Sequence, residues 1–140
     1  VPDVSAHSFT GRRALLAEDD ASARRVLARS LRDMGFDVTE VEDGGRMLVA
    51  ITSHYKDGRT PDDLDLIVTD VNMPIMSGTD AFKGLRAAHW RTPIIVVTGD
   101  ETAQVRDIVD RLGATVLFKP LDLDVFEATV RELVARRLGS

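Results

Sequence analysis

Four short apolar runs in this 140-residue chain end on side chains that can do chemistry. Ala14-Leu15-Leu16-Ala17 runs into Glu18-Asp19-Asp20, and Leu66-Ile67-Val68-Thr69 into Asp70. Ile94-Ile95-Val96-Val97 ends on Thr98, and Thr115-Val116-Leu117-Phe118 on Lys119. Carboxylates gathered at one place repel, and their pKa values rise unless a cation is present. A small cluster of oxygen ligands that keeps several waters suits Mg²⁺. Around it, Asp70 offers a nucleophilic oxygen, Thr98 a hydroxyl donor and Lys119 a mobile positive charge, which is what a phosphoryl group needs. Each residue alone also has a structural reading. Asp70 can cap a helix or form a turn, and Asp19 and Asp20 can start a helix and favour its dipole. Thr98-Gly99 can be a strand-end turn and Lys119 a solvated lysine. The coincidence of all four at strand ends favours the chemical reading.

That reading requires the runs to be parallel strands ending at one edge. The Leu66–Thr69 and Ile94–Thr98 runs are continuously apolar, as strands buried on both faces are. Between the runs the period changes. Leu27, Leu31 and Met34 fall at i, i+4 and i+7 among arginines, which predicts an amphipathic helix from Ala21, with Gly35 as its C-terminal stop. Phe36 to Val41 reads as a second strand, followed by a turn at Glu42-Asp43-Gly44-Gly45 and a shorter helix carrying Met47, Leu48 and Ile51. His54 to Asp63 is a polar loop, and Thr79 to His89 carries Phe82 and Leu85 at helical spacing. Thr102 to Leu112 is helical, with Val105, Ile108, Val109 and Leu112 in phase and Gly113 at its end. Asp122 is placed to cap a last helix whose buried side is read as Val125, Phe126, Thr129, Val130, Leu133 and Val134. About five alternations of strand and helix imply an α/β doubly wound parallel sheet with helices on both faces. Open sheets of this kind place ligands at the carboxyl edge of the strands.

A hydrophobic content of 44% and a charged content of 29% fit a globular protein. A net charge of -5 leaves no basic surplus for nucleic acid. No apolar run approaches the roughly 20 residues of a membrane span, and no signal peptide opens the chain. The absence of Cys excludes disulfides and thiolate metal sites and fits a cytoplasmic location. Residues 1–12 read as a tail or linker end, and residues 13–138 as one domain. The start at Val1 rather than Met fits a piece of a longer protein.

The four strand ends, with Met73-Pro74 and Ser77-Gly78 after Asp70, Gly99 after Thr98 and Pro120 after Lys119, resemble the receiver domains of two-component response regulators. The resemblance covers Arg13 to Leu138 and implies a flavodoxin-like five-stranded sheet in the order 2-1-3-4-5, an order the chemotaxis regulator is known for. It implies that Asp70 accepts a phosphoryl group from a sensor histidine kinase or a histidine phosphotransfer protein. Asp19 and Asp20 match the acidic pair that holds Mg²⁺, with Asp20 the more direct ligand, and the backbone carbonyl of Asn72 completes the shell. Thr98 and Lys119 match the hydroxyl and the lysine that engage the phosphoryl oxygens, and the Lys-Pro bond is expected to be cis. Gly99 would leave the acceptor open to a bulky donor. Further implied partners are an output domain or protein and, as an option, a second copy of the chain. The domain would catalyse its own modification without being an enzyme toward other substrates.

One position departs from the family pattern. The usual inward-swinging aromatic three residues before the lysine is Val116, and Phe118 lies one pleat away. A receiver-like scaffold that is never phosphorylated stays open as an alternative. A haloacid-dehalogenase-like phosphohydrolase fits less well, because its second acid stands two residues after the nucleophile, where this chain has Asn72. A flavodoxin-like nucleotide or flavin module would need a phosphate loop where Glu18-Asp19-Asp20 stands. His7, His54 and His89 show no ligand spacing, Trp90 reads as core cover, and Arg131, Arg136 and Arg137 read as a solvated helix face.

Overall fold

A computed structural model describes residues 9–43, 45–47, 49–50, 64–70, 91–99 and 102–138. Five strands, β1 (Arg13–Ala17), β2 (Asp37–Val41), β3 (Leu66–Thr69), β4 (Ile94–Thr98) and β5 (Thr115–Phe118), form one sheet. All pairings are parallel and the order is β2-β1-β3-β4-β5. Among the described residues it is framed by the helices α1 (Ala21–Asp33), α2 (Ala103–Leu112) and α3 (Leu123–Leu138). Residues 45–47 and 49–50 are also helical, and Asp43 caps them by accepting from the Arg46 amide at 2.7 Å. Among the described residues no helix is long and apolar enough to cross a membrane.

The continuous apolar runs divide by strand alternation into two cores. Leu15, Ala17, Ile67, Ile94 and Val96 face one side, where Met47 and the α2 residues Val105 and Val109 cover them. Ala14, Leu16, Leu66, Val68, Ile95 and Val97 face the other, beneath Leu27 and Leu31 of α1 and Phe126, Val130 and Val134 of α3. The buried stripe of α3 thus runs at i, i+4 and i+8. Val125, expected on that stripe, lies one residue off it and is 49% exposed. Thr129 and Leu133 are half-buried.

The helix ends follow their local chemistry. Thr102 caps α2 through its side chain, and Gly113 closes it in the left-handed region at φ 65°. Gly35 has φ 108°, and Phe36 donates back to the Leu31 carbonyl at 3.1 Å, which turns the chain from α1 into β2. Asp122 caps α3, accepting from the Asp124 and Val125 amides at 2.9 and 3.3 Å.

Packing begins earlier than the expected tail boundary at residue 12. Phe9 is buried, stacks on Phe36 with ring centroids 5.1 Å apart, and donates its amide to the Met34 carbonyl at 3.0 Å. Readings placed on the His54–Asp63 loop, the Thr79–His89 helix, Leu48, Ile51, His7 and Trp90 lie outside the described residues. Because Phe9 is a core side chain, Phe9→Ala should lower stability by about 3 kcal/mol in urea unfolding. A solvated tail would leave the unfolding midpoint unchanged.

Candidate functional site

Strand register assembles the site. β1 and β3 pair with Ala17 opposite Thr69, so the residues that follow them, Glu18 and Asp70, emerge side by side at the carboxyl edge. The Asp70 amide donates to the Ala17 carbonyl at 3.3 Å and the Glu18 amide to the Val41 carbonyl at 3.1 Å. The Thr69 hydroxyl donates to the Asp70 carbonyl at 3.1 Å. On the other side, Thr98 pairs with Phe118, and the Lys119 amide donates to the Thr98 carbonyl at 2.9 Å. Lys119, whose peptide bond to Pro120 is cis, touches the ends of β1, β3 and β4 and so joins all four strand-end features.

The Lys119 ammonium donates to Glu18 Oε1 at 2.7 Å and to Asp70 Oδ2 at 3.1 Å. Glu18 is 2% exposed, Asp70 8% and Thr98 0%. Burial pushes the Glu18 carboxyl above its ordinary value. The hydrogen bond and charge of Lys119 oppose that shift, and the neighbouring charges of Asp70 and Asp19 add to it. Burial alone would pull Lys119 down, yet its bonds to Glu18 and Asp70 outweigh it and hold the ammonium above its ordinary value. The pair of acids and the lysine thus form an anionic pocket closed around one positive charge.

The three consecutive acids have separate fates. Asp20, expected to be the more direct metal ligand, accepts from the Ala23 amide at 3.2 Å and is the N-cap of α1. Asp19 is exposed between the two. Glu18, which was not singled out from the sequence, is the acid that enters the pocket. The signal for it was present, since it follows the apolar run of β1 with no intervening residue, as Asp70 follows β3. Asn72 lies outside the described residues. A Cβ built on Gly99 meets nothing within 4 Å, so the chain beside Thr98 leaves open space there. Val116 packs half-buried against the core that includes Val105 and Val109, and Phe118 lies under the Arg106 guanidinium, 4.8 Å from its ring centroid.

Among the described residues, no group of three His, Cys, Asp or Glu side chains is gathered as a metal cluster. The donor set nevertheless suits a hard cation. Two buried carboxylates already share one cationic group, and a third acid, Asp19, is near enough for its charge to act on Glu18.

Comparison with known proteins decides the family. The model of the response regulator receiver domain matches residues 14–131. The chain belongs to the receiver domain family. It is a signalling domain of two-component systems, homologous to response regulators and to the receiver domains of histidine kinases. The receiver is 36% identical over 121 residues to the sensor protein EvgS of Escherichia coli (strain K12), covering 85% of this chain and 9% of EvgS. It is 34% identical over 128 residues to the response regulator protein PmrA of Pseudomonas aeruginosa, covering 91% of this chain and 54% of PmrA. The chain therefore spans about half of the length of one relative and a small part of the other. Among solved structures, it resembles the receiver domain of the histidine kinase CKI1 from Arabidopsis thaliana complexed with Mg²⁺ and BeF₃⁻. That match has a TM-score of 0.73 and 27% identity, and it covers 94% of this chain and 96% of that one.

Glu18 holds its proton more tightly in the folded receiver than in the unfolded chain. Its contribution to stability is complete below the ordinary value of 4.5 and is lost as pH rises through the raised folded value. Lys119 titrates only above 10.5, outside that window. Metal-free wild type should therefore lose stability relative to Glu18→Gln as pH climbs just above 4.5, in urea unfolding at a series of pH values. A difference that stays constant from about pH 4 to about pH 7 would contradict the burial of this acid.

Proposed function

We propose that Asp70 accepts a phosphoryl group from a phosphohistidine donor, on a sensor histidine kinase or a histidine phosphotransfer protein, and that the modified domain switches a partner-binding face. The observation that carries this reading is the contact of Asp70 with Lys119 in a pocket that Glu18 makes anionic. An Asp70 oxygen attacks phosphorus in line, a P–O bond forms, and the P–N bond breaks with its electron pair returning to the imidazole nitrogen. Lys119 is already within hydrogen-bond distance of the acceptor and neutralises charge on the incoming oxygens. Thr98, buried at the end of β4, supplies the hydroxyl for a phosphoryl oxygen.

Asp19, Asp70 and the backbone carbonyl of Asn72 would hold Mg²⁺. Glu18 takes the place first read for Asp20, whose carboxylate serves as the cap of α1. When bound, the ion supplies charge neutralisation at the phosphoryl oxygens. The CKI1 receiver complexed with Mg²⁺ and BeF₃⁻ supports this assignment by likeness. The new negative charge draws Thr98 and Lys119 toward it and shifts the population of the face built from α2, β5 and α3. Val116 is too small to act as an inward-swinging aromatic, so the shift is carried by Thr98 and the chain after it. Hydrolysis resets the domain, and its only chemistry is on itself. An output domain or protein reads that face in the cytoplasm.

Intact mass after incubation with a small-molecule phosphodonor tests the reading. Wild type should gain one phosphoryl group only when Mg²⁺ is present, and Asp70→Asn should gain none. An unmodified wild type, or an Asp70→Asn protein that is still modified, would overturn it.

A further inference from the structure

Glu18 is nearly closed off from solvent, so its carboxylate goes where its backbone puts it. Its amide is fixed by the Val41 carbonyl of β2. Its carbonyl is taken by a side chain: Arg24 Nη1 donates to it at 2.7 Å. Arg24 stands in the first part of α1 with its side chain only 16% exposed, and its Nε lies 3.7 Å from Glu40 on β2. Glu40 is held from the other side by Arg32 Nη2 at 3.0 Å, and the same nitrogen donates to the Val38 carbonyl at 3.3 Å. Arg32 and Glu40 already tie α1 to β2. A second helix–strand tie would need only the Glu40 contact, yet the shortest contact of Arg24 is to the backbone of the pocket's buried acid. A guanidinium presents its donors in a fixed planar fork, so one Arg can hold the Glu18 carbonyl while its Nε faces Glu40, a geometry that the single, shorter-reaching ammonium of a lysine does not reproduce at this position.

We propose that Arg24 is a positioning residue for the acceptor site: it pins the Glu18 carbonyl, and through that backbone sets the carboxylate that shares Lys119 with Asp70. This rests on the phosphoacceptor reading for its consequence, and on the Arg24 contact alone for its geometry. The acidic run is then fastened at both ends, by Arg24 at Glu18 and by the α1 cap at Asp20, leaving Asp19 as the acid held between them.

The test compares Arg24→Ala, Arg24→Lys and Glu40→Gln by two readouts. Amide hydrogen exchange at Glu18 is followed in the metal-free protein, and Mg²⁺ affinity is measured by titration. Losing the bond to the carbonyl should speed Glu18 exchange by about tenfold and weaken Mg²⁺ by about fivefold to tenfold. Glu40→Gln, which weakens the ion pairs of Glu40 with Arg24 and Arg32 and leaves the bond to the Glu18 carbonyl in place, should change both by less than about twofold. Arg24→Lys, which keeps the charge but not the fork, should fall with Arg24→Ala and serves in its place if the alanine variant does not fold. The proposal is overturned if the Arg24 variants lower the melting temperature as Glu40→Gln does while leaving Glu18 exchange and Mg²⁺ affinity unchanged. Should wild type bind no Mg²⁺, the phosphoacceptor reading fails, and Glu18 exchange still decides the role of Arg24.

Discussion

The ammonium of Lys119 sits between two carboxylates that the sheet has already taken out of water. Placing Glu18 and Asp70 side by side at the end of adjacent parallel strands costs both desolvation and mutual repulsion. One cation within hydrogen-bond reach of both offsets that cost. The rest of the edge is arranged around this contact. β1 and β3 are in the register that makes the two acids neighbours, and β5 pairs with β4 so that Lys119 follows directly after the residue opposite Thr98. A slip of one residue in either pairing would turn Glu18 or Lys119 to the other face. The site is therefore a property of the sheet's register more than of any loop.

Much of the fold was legible because periodicity is local. β3 and β4 are buried throughout and apolar up to their terminal Thr69 and Thr98, and their doubly covered position in the middle of the sheet explains it. Leu27 and Leu31 announced α1, and Gly113 marked the end of α2 at a position that requires a left-handed backbone. Phe9 was not legible. One aromatic in a polar stretch has no period, and its partner Phe36 comes from the other side of α1. Val125 shows the opposite failure, an apolar residue beside a buried stripe that the packing of α3 leaves in solvent.

The candidate site divides in the same way. Asp70, Thr98 and Lys119 each follow an apolar run and could be located by that alone, and the structure brings Asp70 and Lys119 into contact. Which member of Glu18-Asp19-Asp20 enters the pocket could not be read from composition. It depends on a competition between the end of β1 and the start of α1, and the helix takes Asp20 for its cap. Phe118 likewise has a partner supplied by another element, the guanidinium of Arg106 on α2. That contact ties the residue before Lys119 to the helix that follows Thr98, along the face left without the usual aromatic at Val116.

The central claim is that Asp70, held against Lys119, is the carboxylate that takes the phosphoryl group. An acyl phosphate is reduced by borohydride to an alcohol, which converts the modified aspartate to homoserine. Reduction after phosphorylation, followed by peptide mass mapping, should place homoserine at position 70. Homoserine at position 19 or 20, or none at all in a chain that has gained phosphate, would contradict the account.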